Sequence, residues 1–326
     1  MTATRARVVS LPAWVEPQLA TLTKDRFSDP AWVFERKLDG ERCLAFVDST
    51  GIRLMSRNQR DITTTFPEIA AALDAQITAP GHILDGEIVA FSGTATSFAQ
   101  LQQRMGLAHP SPDVVRSVPA FYYIFDVMYS GGQDVRPRPQ IERKQLLRDL
   151  LPFDDPLRFT AHRERDGERY YEQACRDRWE GLIAKRADAP YRGRRTRDWL
   201  KFKCENAQEF VVGGYTDPKG SRTGFGALLL GYYDTAGRLS YAGKVGTGFS
   251  DAVLQRLHEQ LSRLERESPP FDSGRLPRTN VHWVEPRLVA EVGFSEWTTD
   301  GELRHPRYQG LRDDKDPAEV VRESPA

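Results

Sequence analysis

Between residues 31 and 205 the chain alternates short apolar runs with polar turns, the texture of half-buried strands. The stretches 32–37, 42–48, 53–56, 82–91, 121–128, 182–186 and 199–204 read as strands. "IERKQLLRDLL" sets Ile141, Leu146, Leu147, Leu150 and Leu151 on roughly one side of a helix, and "RYYEQACRDRW" before Glu180 is a weaker second. Strands outnumber helices without strictly alternating with them, which favours a mixed α+β fold over a doubly wound sheet.

The pattern changes after about Asn206. "EFVVGGYTD", "GALLLGYYDTAGRLSYAGKVGTGF" and "RLVAEVGFSEWT" are short strands with Gly-rich bends, as in a small β-barrel. One amphipathic helix sits among them. Ser250 is its expected N-cap, Asp251 complements the dipole, Val253, Leu257, Leu261 and Leu264 form the apolar stripe, and Pro269 and Pro270 end it. The expected domains are therefore 1–205 and 206–326, with no internal repeat.

Bulk properties narrow the classes. At 326 residues, about two domains are expected. The 46 basic and 46 acidic residues cancel, which excludes a uniformly cationic surface but leaves room for a local basic face. Cys43, Cys175 and Cys204 are scattered, an odd count without CxxC spacing; neither a disulfide framework nor a zinc cluster is expected, and a reducing cytosol fits. The first residues lack the apolar core of a signal peptide, and no stretch reaches the roughly 18 apolar residues of a membrane span. A cytoplasmic protein, without membrane contact and monomeric, is the expectation.

Strand parity then singles out side chains. In "WLKFKC", Trp199, Lys201 and Lys203 share one face while Leu200, Phe202 and Cys204 share the other. Two lysines aimed together meet either water or a polyanion. "RGRRTR" just upstream holds Arg192, Arg194, Arg195 and Arg197, either a phosphate-binding cluster or a solvated loop. Glu87 in "ILDGEIVAF" and Glu180 in "WEGLIAKR" stand beside glycines in apolar runs. An unpaired buried carboxylate is costly, so each is exposed, salt-bridged or metal-bound, and such hard oxygens suit Mg2+. Lys185 has parity opposite to Glu180; both reach one cleft only if Gly181 bends the strand or Glu180 precedes it. Phe125 in "FYYIFDVMY" is either core or a stacking wall for a base. "KLDG" at residues 37–40 reads by itself as a surface turn.

In order, however, "KLDG", "SRN" at 56–58, "DGE" at 85–87, "FYYIFDV", "EGLIAK" and "WLKFK" resemble the nucleotidyltransferase motifs of ATP-dependent DNA ligases, relatives of RNA ligases and capping enzymes. "RHPRYQGLRDDKDP" at 304–317 resembles their last motif, with Arg312-Asp313-Asp314-Lys315 on its Arg-x-Asp-Lys signature. "YAGKVGTGF" and "VAEVGFSEWTTDGELRHPRYQGLR" are most similar to the bacterial end-joining ligases, the ligase module of ligase D and the free-standing ligase C. The resemblance implies an ATP-grasp-like nucleotidyltransferase domain of mixed and antiparallel sheets followed by a β-barrel OB-fold domain. With Lys37 so near the start, it also implies a free-standing form or an excised module.

The implied chemistry is three phosphoryl transfers. Lys37 takes AMP from ATP, AMP passes to the 5′-phosphate of a DNA break, and the 3′-hydroxyl then displaces AMP. A lysine of pKa about 10.4 is mostly ammonium at neutral pH, so neighbouring cations such as Lys185, Lys201 and Lys203 would favour its neutral form and stabilise charge on the phosphates. The resemblance assigns Glu35 to the adenine amino group, Arg42 and Glu87 to the ribose or terminal phosphates, Arg57 to phosphate and Phe125 to stacking on adenine. It assigns Glu87 and Glu180 to Mg2+ or Mn2+, Lys201 and Lys203 to the α-phosphate, and Asp39 to orientation and third-step assistance. Arg312 and Lys315 would clamp pyrophosphate in the first step only. Duplex DNA, nicked or broken, is the implied substrate, touched by the arginine cluster and by Arg222, Lys244 and Lys219 in Gly-rich loops; a Ku-like partner is a further possibility. Rival readings are an RNA ligase, a capping guanylyltransferase using GTP, and an inactive nucleic-acid-binding protein. The four-cysteine zinc module of NAD-dependent ligases finds no counterpart here.

Overall fold

The computed structural model describes residues 11–218, 220 and 222–323. The chain falls into two compact units that meet in sequence between Cys204 and Glu205.

The first unit is built on two sheets. One has five strands in the order Leu19–Leu22, Arg195–Lys203, Gly181–Arg186, Trp32–Lys37 and His162–Glu164. The other runs Leu157–Phe159, Phe121–Ser130, His82–Val89, Glu41–Asp48 and Gly51–Ser56, with Gln133–Asp134 paired to the second of these. Alternation buries both faces of each sheet. Phe34, Leu182, Ala184, Leu200 and Phe202 back the first sheet against Tyr170 and Ala174 of helix Gly167–Arg176. Ala45, Leu84, Ile88, Tyr122 and Ile124 back the second against Ile69 and Leu73 of helix Pro67–Gln76. Between the sheets, Leu44, Phe46, Ile83, Phe125 and Met128 meet Trp199.

The helix Gln140–Leu150 departs from the expected stripe. Its buried residues are Gln140, Arg143, Lys144 and Leu147, while Ile141 is exposed. Arg143 is buried because it chelates Asp126, with Nε–Oδ1 at 2.8 Å and Nη2–Oδ2 at 2.9 Å. A fully paired ion pair can occupy a core position that apolarity alone assigns elsewhere.

The expectation of unpaired cysteines is corrected. Cys175 on helix Gly167–Arg176 and Cys204 at the end of the first unit form a disulfide, 29 residues apart, with Cα atoms 5.3 Å apart. The helix packs behind the strand that leads to Cys204, so tertiary proximity replaces the local spacing a sequence reveals.

In the second unit the strands run Leu239–Val245, Leu228–Tyr233, Asn206–Thr216, Val281–Phe294 and Glu265–Arg266, with Arg307–Leu311 also on Val281–Phe294. The register shifts between Val212 and Gly214, so Asn206–Thr216 bends across two segments of its long partner. Among the described residues the ladder does not close into a barrel. Helix Asp251–Ser262 begins where expected, with Ser250 Oγ accepting from the Val253 N–H, but its inward residues are Leu254, Leu257 and Leu261. Among the described residues no helix is long and apolar enough to cross a membrane.

Candidate active site

Register explains how three lysines converge. Trp32–Lys37 pairs antiparallel with Gly181–Arg186, which pairs with Arg195–Lys203, so Lys37, Gly181 and Lys203 form one row across the sheet. Glu35, Ile183 and Lys201 form the next row, and Val33, Lys185 and Trp199 the third. Residues opposite one another in antiparallel strands share a face. One face therefore carries Lys37, Glu35, Lys185, Lys201 and Lys203, opposite the apolar backing.

Glu180 precedes the strand and turns back over it, the second of the two ways it could join Lys185. Its Oε2 accepts from Lys37 Nζ at 2.5 Å. Gly181 makes that turn with φ of +148° while its Cα faces the Phe202 carbonyl. Burial opposes ionisation of Glu180, but Lys37, Lys203 and Lys201 hold its carboxyl below the ordinary range. The four groups are thus one electrostatic unit.

The Asp39-Gly40 dipeptide is not a surface turn. Gly40 is buried, and a Cβ there would fall 2.1 Å from the Ile88 carbonyl oxygen. Asp39 Oδ2 accepts from the Phe98 N–H at 3.2 Å, which ties the segment after the lysine to the start of helix Phe98–Leu101. Close backbone approach and a helix-end bond are the reasons for these two residue types.

On the second sheet Arg42, Glu87 and Tyr123 form a row. Arg42 chelates the fully buried Asp85, with Nε–Oδ1 at 2.6 Å and Nη2–Oδ2 at 2.7 Å. Tyr191 Oη donates to the same carboxylate at 2.7 Å. Burial works against the Arg42 charge, but Asp85 outweighs it and drives the guanidinium well above its ordinary range. Arg57 lies in the turn just after Ser56, whose strand partner is Cys43.

Two of the expected nucleotide contacts have charged neighbours here. Glu35 is 2% exposed, with Lys144 Nζ 2.6 Å from Oε1 and Lys185 Nζ 2.7 Å from Oε2. A buried carboxylate needs such counterions. Burial lowers the Lys144 pKa to about 8 against the pull of Glu35. Phe125 is 8% exposed, with Lys185 Nζ 4.3 Å and the Arg42 guanidinium 4.7 Å from its ring centre. Phe125 packs in the layer between the sheets, beside a register shift at Asp85 and Gly86. A base reaches that ring only by displacing a cation.

The remaining cations lie elsewhere. Arg192, Arg194 and Arg195 are exposed; Arg192 pairs with Asp198 at 3.1 Å and Arg195 donates to the Ala20 carbonyl. In the second unit Arg222 donates to the carbonyls of Phe225 at 2.9 Å and Gly246 at 2.8 Å, so it fastens its own loop. Lys244 is exposed within strand Leu239–Val245 rather than in a loop, and Lys219 lies outside the described residues. Arg312 is held by Asp314 at 2.8 Å, and Lys315 by Glu209 at 3.0 Å. Sequence reasoning missed Tyr191, buried in the loop before Arg195–Lys203, and Asp85, Arg143 and Lys144, each buried and charged where period-two and period-3.6 patterns predict apolar residues.

With this arrangement in view, comparison with known proteins decides the family. Residues 17–203 match the ATP dependent DNA ligase domain, and residues 221–315 match the ATP dependent DNA ligase C terminal region. The chain belongs to the ATP-dependent DNA ligases. It is 38% identical over 323 residues to the multifunctional non-homologous end joining protein LigD of Pseudomonas aeruginosa, covering 97% of this chain and 37% of that protein. The Mycobacterium tuberculosis protein of similar description is 38% identical over 309 residues, 90% of this chain and 37% of its own length. The chain thus spans little more than a third of these relatives. Among solved structures, mycobacterial DNA ligase D complexed with ATP and MES matches with a TM-score of 0.68 at 35% identity, over 95% of this chain and 98% of that one. Lys37, Glu180, Lys201 and Lys203 all fall inside the first matched domain, and Arg312 and Lys315 inside the second.

Proposed function

We propose that the chain seals 5′-phosphate/3′-hydroxyl breaks in duplex DNA through a lysyl-AMP intermediate and serves end joining in the bacterial nucleoid, with a Ku-like end-binding protein as a candidate partner. The observation that carries this is the single face on which Lys37 and Glu180 touch, flanked by Lys201 and Lys203. Relatives named for non-homologous end joining, and a neighbour solved with ATP, support the reading.

In the first step the Lys37 Nζ lone pair forms a bond to the α-phosphorus, the bond to the bridging oxygen breaks, and pyrophosphate leaves with that electron pair. Lys37 must lose a proton, and Glu180 Oε2 is its hydrogen-bonded neighbour at 2.5 Å, so this ion pair opens before attack. Lys201 and Lys203 balance charge growing on the phosphate oxygens, now and when the DNA phosphate takes AMP. Asp39 orients the segment beside the nucleophile. Arg42, fixed by Asp85, Glu87 beside it, and Arg57 face ribose and phosphates, while Phe125 gives adenine its apolar wall once Lys185 or Arg42 moves aside. The exposed Arg192, Arg194, Arg195 and Lys244 meet the DNA backbone, which makes binding salt-dependent and insensitive to sequence.

Among the described residues no cluster of three or more His, Cys, Asp or Glu side chains could cage a metal. A hard cation held by one or two carboxylates and by substrate phosphates needs no cage. Glu180 and Glu87 fit that role, and Mg2+ or Mn2+ bound there would neutralise phosphate charge.

The test is incubation with divalent cation and α-labelled ATP or GTP, followed by nicked DNA or nicked RNA duplexes. Acid-stable label from ATP alone, and sealing of DNA, are expected. Label from GTP, or sealing of RNA alone, overturns the reading in favour of a capping enzyme or an RNA ligase.

Arg312 and Lys315 act, in this reading, on the pyrophosphate of bound ATP. Arg312→Ala is expected to reduce self-adenylylation by roughly 100-fold or more, the loss of a phosphate-clamping arginine, while sealing of pre-adenylylated nicks persists. Equal loss in both assays removes the clamp assignment.

A further inference from the structure

Glu209 of strand Asn206–Thr216 and Glu291 of strand Val281–Phe294 are directly opposite one another across an antiparallel ladder. Like charges so placed repel at about 5 Å between Cβ atoms, and such pairs are destabilising unless cations intervene. Here cations do intervene, and they are the two residues of the last motif. Lys315 Nζ lies 3.0 Å from Glu209 Oε1, and Arg312 Nη1 lies 3.8 Å from Glu291 Oε2 while its Nε and Nη2 each hold an Asp314 oxygen at 2.8 Å. Asp314 and Glu291 are buried, and Lys315 and Glu209 are each about one-fifth exposed.

Glu209, Glu291 and Asp314 all set carboxylates beside Arg312 or Lys315. Burial opposes the Arg312 charge, but Asp314, Glu291 and Glu209 together raise it well above its ordinary range. Asp314 alone, two residues away, suffices to orient the guanidinium. Glu209 and Glu291 come from other strands and add what orientation does not require, negative charge that competes with any phosphate for the same two side chains.

We propose that Glu209 and Glu291 form a resting dock for the clamp residues, a set of positioning carboxylates that compete with the pyrophosphate portion of ATP for Arg312 and Lys315. This deepens the reading that the last motif serves the first step. ATP must draw the two cations from the dock; once pyrophosphate has left, the carboxylates reclaim them, which biases the chain toward release before DNA is engaged.

The dock makes an unusual prediction, a gain of affinity on removing a charge. Glu209→Gln keeps shape and hydrogen bonding but not charge, and should lower the KM for ATP in self-adenylylation by about three- to five-fold, the range of a partly exposed ion pair. Sealing of pre-adenylylated nicks should not speed up, because the clamp is not used there. Glu296→Gln, which removes an equal charge paired with Arg304 at 2.7 Å away from the dock, controls for the change in net charge and should leave the KM as it is. A merely structural role for Glu209 lowers thermal stability without lowering the KM. An unchanged or raised KM in Glu209→Gln, or an equal fall in Glu296→Gln, overturns the dock. Failure of the clamp itself is read separately, from Arg312→Ala: if that variant adenylylates normally, the reading beneath the dock has failed; if it does not, the dock stands or falls on Glu209→Gln.

Discussion

Lys37→Arg is expected to fold, to keep an ion pair with Glu180 and to take up no label from α-labelled ATP, at least roughly 10³-fold below the parent. The guanidinium preserves the positive partner of the partly buried Glu180 carboxylate, now 2.5 Å from Lys37 Nζ. It cannot give up its proton in a protein, so it offers no lone pair to phosphorus. The substitution thus removes the nucleophile while keeping the charge. Lys37→Ala loses label equally but also withdraws the leading cation of Glu180, whose carboxyl should then titrate higher than in the parent. Both variants should still close a pre-adenylylated nick to a measurable extent, since the lysine amine forms no bond in that step. Label retained by Lys37→Arg, mapped by peptide mass to Lys185, Lys201 or Lys203, would move the nucleophile to another row of the same sheet.

How much of this was legible in the sequence depends on which force places each residue. Lys201 and Lys203 were assigned to one face by parity alone, and the register with Gly181–Arg186 and Trp32–Lys37 brings that face to Lys37. Strand alternation is local, so it survives without a structure. Helix Gln140–Leu150 shows the opposite case. Its apolar residues suggested an inward stripe including Ile141, yet Arg143 and Lys144 are buried beside Leu147 while Ile141 is exposed, because Asp126 and Glu35 wait for them on two strands. Ion pairs across 17 and more residues leave no periodic trace. Glu35 was named from the resemblance alone, and its ion pairs with Lys144 and Lys185 reach it from a helix and a strand far along the chain, so they too leave no local trace.

"DGE" divides the same way. Glu87 was noticed because it stood out in an apolar run, while Asp85 was given no role of its own. The structure makes Asp85 the fully buried anchor of both Arg42 and Tyr191, and Gly86 the place where neighbouring strands crowd, with a would-be Cβ 2.5 Å from the Tyr122 ring. Turn-forming residue types are ambiguous in sequence because two different needs select them, positive φ and close approach of another backbone. Gly40 is the second kind, and its clash with Ile88 rather than any turn is what a substitution there would meet.

Gly181 combines both needs, and Gly181→Ala is expected to be among the most damaging single-methyl changes in the chain. A left-handed φ of +148° already costs an L-residue about 1–3 kcal/mol. The added Cβ would stand 1.8 Å from the Phe202 carbonyl oxygen and 3.0 Å from the Lys203 Cα, and both are backbone, so no flexible side chain can yield. Relief requires separating Gly181–Arg186 from Arg195–Lys203, which dismantles the row of Lys37, Gly181 and Lys203 and carries Glu180 away from Lys37. The expected loss is about 4 kcal/mol or more in unfolding free energy of the first unit, with self-adenylylation near background even where the protein remains folded. Gly51→Ala isolates the conformational part: its φ is +131°, but a Cβ there meets nothing within 4 Å, so it should lose only about 1–3 kcal/mol and keep its activity. Denaturant unfolding of the two variants beside the parent measures the difference directly. Equal losses in both would mean that the Phe202 contact contributes nothing, and that the turn holding Glu180 over the lysine does not depend on the absence of a side chain.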